Sequence, residues 1–157
     1  MWEDVKYEKG EIEVVAYDND GKEVARKSIR TAGKPHHIEV TGGLDFIGQS
    51  EIPALKADGK DLCYLTVKVV DKDGNLCPNA DNLLKFSVSG AASYKASANG
   101  DPTCLDLFHL PQMHAFGGML TVILQAGETA GDATLKVSGQ GLRSATVNIN
   151  VSTSSLD

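Results

Sequence analysis

Short alternating runs of apolar and polar residues, broken by turn signals every 8 to 12 residues, recur along the chain, while the 3.6-residue period of helices is nearly absent. In the first run Ile12, Val14 and Ala16 point one way and Glu11, Glu13, Val15 and Tyr17 the other. Asp18-Asn19-Asp20-Gly21 then reads as a hairpin turn in which glycine supplies positive φ. A second strand is expected from about Glu23 to Thr31, and His36 to Val40 as a third. The clearest strand is Leu62 to Val70, with Cys63, Leu65, Val67 and Val69 inward and Tyr64, Thr66, Lys68 and Val70 outward. Leu84 to Ser89, Leu120 to Ala126, Ala133 to Ser138 and Arg143 to Val151 complete the set. Residues 44–60 read as less regular, and Ala91 to Gly118 as one long loop of about 28 residues, far above the usual roughly 2–6.

The pattern predicts an all-β chain. Residues 1–35 hold one hairpin, too little to bury a face alone, so it either packs on the sandwich that follows or is the remnant of a preceding β-sandwich, and the second reading is preferred. Residues 36–151 hold about seven strands, the size of an immunoglobulin-like β-sandwich, and 152–157 a frayed polar tail. The expected core is Leu65, Val67, Val69, Phe86, Val88, Val122, Leu124, Leu135, Val137, Val147 and Ile149.

Composition narrows the function. With 157 residues the chain can bury a sizeable core without staples. No apolar run approaches the ~20 residues needed to span a bilayer, so no membrane insertion is expected. The start, Met1-Trp2-Glu3-Asp4-Val5-Lys6, has neither a basic nor an apolar stretch, so it is not read as a signal peptide, and the strand-like sequence there reads as the continuation of a longer chain. Fifteen Lys and Arg against 21 Asp and Glu give a net charge of −6, without a basic block to track phosphates, which argues against a nucleic-acid partner. Cys63, Cys77 and Cys104 have no CxxC spacing, and they are expected to be reduced and structural.

Motifs for catalysis or metal binding fail on inspection. Read as a calcium loop around Asp71-Lys72-Asp73-Gly74, the sequence has Val69 at the first position and Ala80 at the twelfth, where glutamate is required. His109 and His114 are five apart across Pro111 with no Glu between, unlike the i, i+4 zincin pair. Neither Ser87-Val88-Ser89-Gly90 nor Lys136-Val137-Ser138-Gly139 is a Gly-x-Ser-x-Gly elbow. No catalytic residue, metal or cofactor is therefore assigned.

The candidate functional residues lie on the long loop. Leu105, Leu107, Phe108, Leu110, Met113 and Phe116 are too many apolar groups for a solvated linker. They are expected to fold down over one end of the sandwich, with a short strand or helical turn inside the loop and a partly exposed apolar patch. Asn99-Gly100-Asp101-Pro102 is expected as a tight turn bonded by its own Asn and Asp side chains. Asn99, Asp101, Phe108, His109, His114 and Phe116 thus form a candidate interaction loop. Tyr64 and Tyr94 are a candidate sugar-stacking pair, since rings stack on the C–H faces of sugars.

Four stretches carry a family resemblance: Gly10 to Tyr17 with Gly21 to Ala25; Thr31-Ala32-Gly33-Lys34-Pro35; Lys56 to Leu62 with Asp71 to Asn75 and Pro78 to Asn82; and Asn99 to Thr103 with Ala115 to Gly118. In this order they resemble the C-terminal region of secreted Bacteroidetes-type β-galactosidases of glycoside hydrolase family 2. Cys104 after Pro102-Thr103 and the length of residues 41–53 depart from that pattern. The resemblance implies a parent enzyme that cleaves terminal β-galactosides by a retaining mechanism, with both glutamates in a barrel that nothing here matches. It implies an accessory domain, periplasmic or extracellular, whose partner is that catalytic barrel and which could meet a galactoside or polysaccharide. A carbohydrate-binding sandwich module and an invasin-type adhesion module, normally in tandem copies, are the alternatives.

Overall fold

The computed structural model describes residues 6, 8–43 and 51–153. Trp2, the residues of the expected tail beyond Thr153, and much of the long 41–53 segment lie outside the described residues. Eleven strands follow one another without a helix among the described residues. They are β1 (Glu11–Tyr17), β2 (Glu23–Arg30), β3 (His37–Gly42), β4 (Leu55–Lys56), β5 (Leu62–Val70) and β6 (Leu83–Gly90), then β7 (Ala92–Ala98), β8 (Gln112–His114), β9 (Met119–Ala126), β10 (Gly131–Gly139) and β11 (Ala145–Ser152).

β1 and β2 form a separate antiparallel hairpin. Its turn is held by Asp18, whose Oδ1 accepts the amides of Asp20 and Lys22 at 3.0 and 2.8 Å, with Gly21 at φ +77°. Cross-strand pairing puts Ile12 opposite Ile29, Val14 opposite Lys27 and Ala16 opposite Ala25 on one face. The other face carries exposed ion pairs, Arg26 with Glu13 and Glu23 and Arg30 with Glu11.

The remaining strands make a two-sheet sandwich. One sheet has the order β4-β11-β10-β6-β8 and the other β3-β5-β9-β7. Every pairing between these strands is antiparallel except the short β11–β4 contact, and a parallel bridge also joins His37 to Arg143. Nine of the eleven expected core residues are buried, and Val88 and Val147 pack half-buried against them. These last two are the register partners of Leu135 on either side of β10. Ile38, Leu55, Leu84, Met113, Leu120 and Val151 join the core from outside the expected set.

Two expectations are corrected. Thr66 and Val70, read as outward, are both buried. Thr66 lies mid-sheet between its register partners Thr41 and Thr121, and its hydroxyl donates to the Gly43 carbonyl at 2.8 Å. Val70 ends β5, paired with His37 and bridged to Leu76. The long loop from Ala91 to Gly118 is not a single loop, because its first quarter is the seven-residue strand β7, joined to β9. The chain leaves one sheet at Gly90 and enters the other at Ala92. Gly90 sits at φ +88°, and a Cβ there would stand 2.1 Å from the Asp132 carbonyl oxygen, so only glycine makes this corner.

Candidate functional site

The segment from Asn99 to Phe116 is built as a hydrogen-bonded frame. Asn99 Oδ1 accepts the Asp101 amide at 3.1 Å, and Asp101 Oδ1 accepts the amide and hydroxyl of Thr103, each at 2.8 Å. With Gly100 at φ +78°, this is the side-chain-bonded turn that Asn-Gly-Asp-Pro implies. Asn99 Nδ2 then reaches across to donate to the His114 carbonyl at 3.0 Å and to Cys104 Sγ at 3.3 Å. Asp106 Oδ2 accepts the His114 amide at 2.8 Å and lies 2.9 Å from His114 Nδ1. A carboxylate only accepts, so Nδ1 carries the proton. These bonds from His114 hold the Asp106 carboxyl below the usual carboxylate range.

The structure therefore brings Asn99, Asp101 and His114 together and adds Cys104 and Asp106. His109 stands apart, exposed in the turn closed by the Leu110 amide on the Leu107 carbonyl. Phe116 lies beyond β8, in the tight β8–β9 turn. Of the six large apolar side chains of the loop only Met113 is buried, with the small Ala115 beside it; Leu105, Leu107, Phe108, Leu110 and Phe116 are exposed, Leu105 at 93%. The expectation that they all fold down over one end of the sandwich is thus corrected. Just one points into the core, and the other five face solvent. The expected short strand inside the loop is β8, and five of the loop's large apolar side chains are exposed.

Tyr64 and Tyr94 do not share a face. Tyr64 pairs with Ile123 and is 43% exposed on the outside of its sheet. Tyr94 pairs with Leu124, a fully buried neighbour, so its ring points inward. It stacks on Phe86 with centroids 5.8 Å apart. Its hydroxyl lies 2.6 Å from the Leu110 carbonyl, 2.9 Å from that of Phe108 and 2.8 Å from the Ser97 hydroxyl. Burial pushes the Tyr94 phenol up. Tyr94 is thus the anchor of the apolar segment rather than half of a stacking platform.

Three free cysteines accompany this arrangement. Burial, with a contribution from Asp61, pushes the Cys63 thiol up to about 11, and burial also raises Cys77. Cys104 alone is partly exposed. Thiol titration of the native chain at neutral pH is expected to label Cys104 quickly and to reach Cys63 and Cys77 only on unfolding. Rapid native labelling of all three would contradict this burial.

Comparison with known proteins follows the same architecture. Residues 49–148 match the family model of glycoside hydrolase family 2 C-terminal domain 5, and residues 1–25 match that of a domain of unknown function, DUF4982. Beta-galactosidase BoGH2A of Bacteroides ovatus is 41% identical over 146 residues, which is 93% of this chain and 16% of that protein. A beta-glucuronidase of Formosa agariphila is 24% identical over 149 residues, 94% of this chain and 14% of that protein. Among solved structures, a beta-glycosidase from Bacteroides vulgatus superposes with a TM-score of 0.82 at 31% identity, covering 94% of this chain and 18% of that one. A family 2 member from Bacteroides cellulosilyticus gives 0.79 at 25% identity, with the same coverage of both chains. The chain spans less than a fifth of the length of each of these relatives. Sandwich and family match agree: the chain belongs to glycoside hydrolase family 2, with C-terminal domain 5 of that family over residues 49–148.

Proposed function

We propose that this chain is the non-catalytic C-terminal accessory part of a secreted β-galactosidase, and that it packs on the catalytic domain through the segment bordering β8. One observation carries the reading: five large apolar side chains, Leu105, Leu107, Phe108, Leu110 and Phe116, are held exposed on a hydrogen-bonded frame. Exposed apolar groups gathered in this way mark interaction sites. The 41% identity to a beta-galactosidase of about six times the length supports the choice of substrate class. Residues 1–35 belong, in this reading, to a preceding sandwich. The solvent-facing Ile12, Val14 and Ile29 and the separate family match of residues 1–25 support that division.

The experiment is the double substitution Phe108→Ser and Phe116→Ser, made both in this chain and in the full-length polypeptide. In this chain, unfolding free energy should change by less than about 0.5 kcal/mol, as for surface positions. In the full-length enzyme, hydrolysis of a nitrophenyl β-galactoside or its thermal midpoint should fall. An unchanged full-length enzyme removes the docking reading. A full-length enzyme that cleaves the β-glucuronide and not the β-galactoside removes the substrate class. Recovery of the full-length polypeptide from the cytoplasm alone removes export.

A further inference from the structure

The hairpin and the sandwich do not pack strand on strand beyond isolated contacts. An open cleft separates them, lined by Arg30, Gly33, Pro35, His36, Asp71 and Asn75 among others. The short connection between them is the place where their relative direction can be fixed. Thr31 still belongs to the hairpin: its amide donates to the Gly10 carbonyl at 2.9 Å, and its hydroxyl accepts the Gly10 amide at 3.1 Å. Gly33 already belongs to the sandwich: its amide donates to Asp71 Oδ2 at 2.7 Å. From there the chain stays fastened, by the His36 amide on the Val70 carbonyl and by reciprocal bonds of residues 36 and 38 with Arg143. Ala32 alone stands between the two bonded sets.

Asp71 is built for this task. The residue is 2% exposed. Its Oδ1 accepts the amides of Asp73 and Asn75 at 2.9 Å each, which shapes the Asp71–Asn75 turn. Its Oδ2 accepts the Gly33 amide and the Asn75 side-chain amide, at 2.7 and 3.1 Å. The Gly33 amide is the first cause that holds this carboxyl well below the usual carboxylate range. The two oxygens thus divide the work, one mainly for the turn and the other for the connection. A carboxylate buried in this way persists because amide donors saturate it.

We propose that Asp71 is the latch that fixes the direction of the final sandwich relative to the preceding hairpin, by clamping the connection at Gly33. It is a positioning residue, and its role holds whichever sugar the whole enzyme cleaves. The proposal goes beyond the accessory function by naming what makes the domain a rigid extension rather than a swinging one.

The test uses Asp71→Asn in this chain. The carboxamide can keep its oxygen on the turn amides and turns an N–H₂ toward the Gly33 N–H, where donor meets donor. Spin labels at Asn19→Cys on the hairpin turn and Lys136→Cys on β10, in a Cys104→Ser background, report the distance between the two units. The starting protein should give one narrow distribution, and Asp71→Asn one at least twofold broader, while amide exchange of Leu65, Val67 and Val122 stays slow. A distribution of unchanged width, or one already broad before the substitution, overturns the latch. Should Asp71→Asn lose the slow exchange of the sandwich, glycolic acid in place of Gly33, which exchanges the N–H for an ester oxygen, removes the same donor without adding an atom against Asp71. A displaced or broadened distribution then supports the proposal, and one unchanged in position and width overturns it.

Discussion

Leu135→Ala is expected to cost about 3–5 kcal/mol of unfolding free energy, a large share of the roughly 5–15 kcal/mol that holds a domain folded. Leu135 is fully buried on β10, the central strand of its sheet. Its register partners are Val88 on β6 and Val147 on β11, and the other sheet contributes Leu65, Val122 and Leu124 to the same core. Truncation removes the transfer energy of the lost methyl groups and leaves a cavity. Little can fill it, because both flanking valines are β-branched and pinned by the strand pairing. Val88→Ala, at a half-buried position of the same row, should cost markedly less. Urea unfolding of both variants checks the ordering. A loss below about 1 kcal/mol for Leu135→Ala would mean that the sheets close over the gap, against the packing described.

The core was legible in the sequence wherever one strand face is wet and the other dry. On β10, Leu135 and Val137 alternate with exposed or half-exposed neighbours, and alternation finds the inward set directly. The same rule misleads on β5, because that strand is central and neighbouring side chains cover its outer face as well. Thr66, between Thr41 and Thr121, is the clearest case. It fails again on β7, Ala-Ser-Tyr-Lys-Ala-Ser-Ala, which has a strand's pairing but few large apolar groups to reveal it. The strand follows a two-residue change of sheet at Gly90 and Ala91, too short to read as a connection. An irregularity between Tyr94 and Ala96 also shifts the register, so counting by twos does not carry through it.

The candidate site was legible to the same local depth. Asn99-Gly100-Asp101-Pro102 specifies its own turn, since the bonds that hold it span only two residues. The Asp106–His114 pair spans eight residues across Pro111 and exists only because β8 returns the chain. Gly33 and Asp71 are 38 residues apart, and nothing in the Asp71–Asn75 turn sequence says that one carboxylate oxygen serves another segment. An acidic residue that opens a turn and is also buried is the signal that would have found it, and burial is not visible in a turn sequence. The five exposed apolar groups were recognised as unusual. Their direction was not, because an interface and a core plug need the same residues.

Tyr94→Phe is the substitution that separates anchoring from packing. The ring and its stack on Phe86 remain, and only the hydroxyl is lost. That hydroxyl has one proton to give. The Leu110 carbonyl at 2.6 Å is its nearest acceptor, while the Ser97 hydroxyl at 2.8 Å donates in return. Ser97 is itself buried, at 1% exposure, and its amide bonds the Phe108 carbonyl at 2.9 Å. Removing the Tyr94 oxygen therefore leaves a buried serine hydroxyl without its acceptor and frees the Leu110 carbonyl. The expected loss is about 1–3 kcal/mol, the cost of stranding a buried polar group. The effect should be local in a way that a core truncation is not. Amide exchange should quicken at Ser97 and from Leu107 to Leu110, while β5 and β10 keep their protection. Unchanged exchange there, with stability within about 0.5 kcal/mol, would remove Tyr94 as the anchor. If the segment does loosen, Phe108 and Leu110 lose their fixed presentation at the edge of β8. In the full-length enzyme Tyr94→Phe should then weaken the same docking contact as Phe108→Ser, although the Tyr94 ring faces the interior of the sandwich.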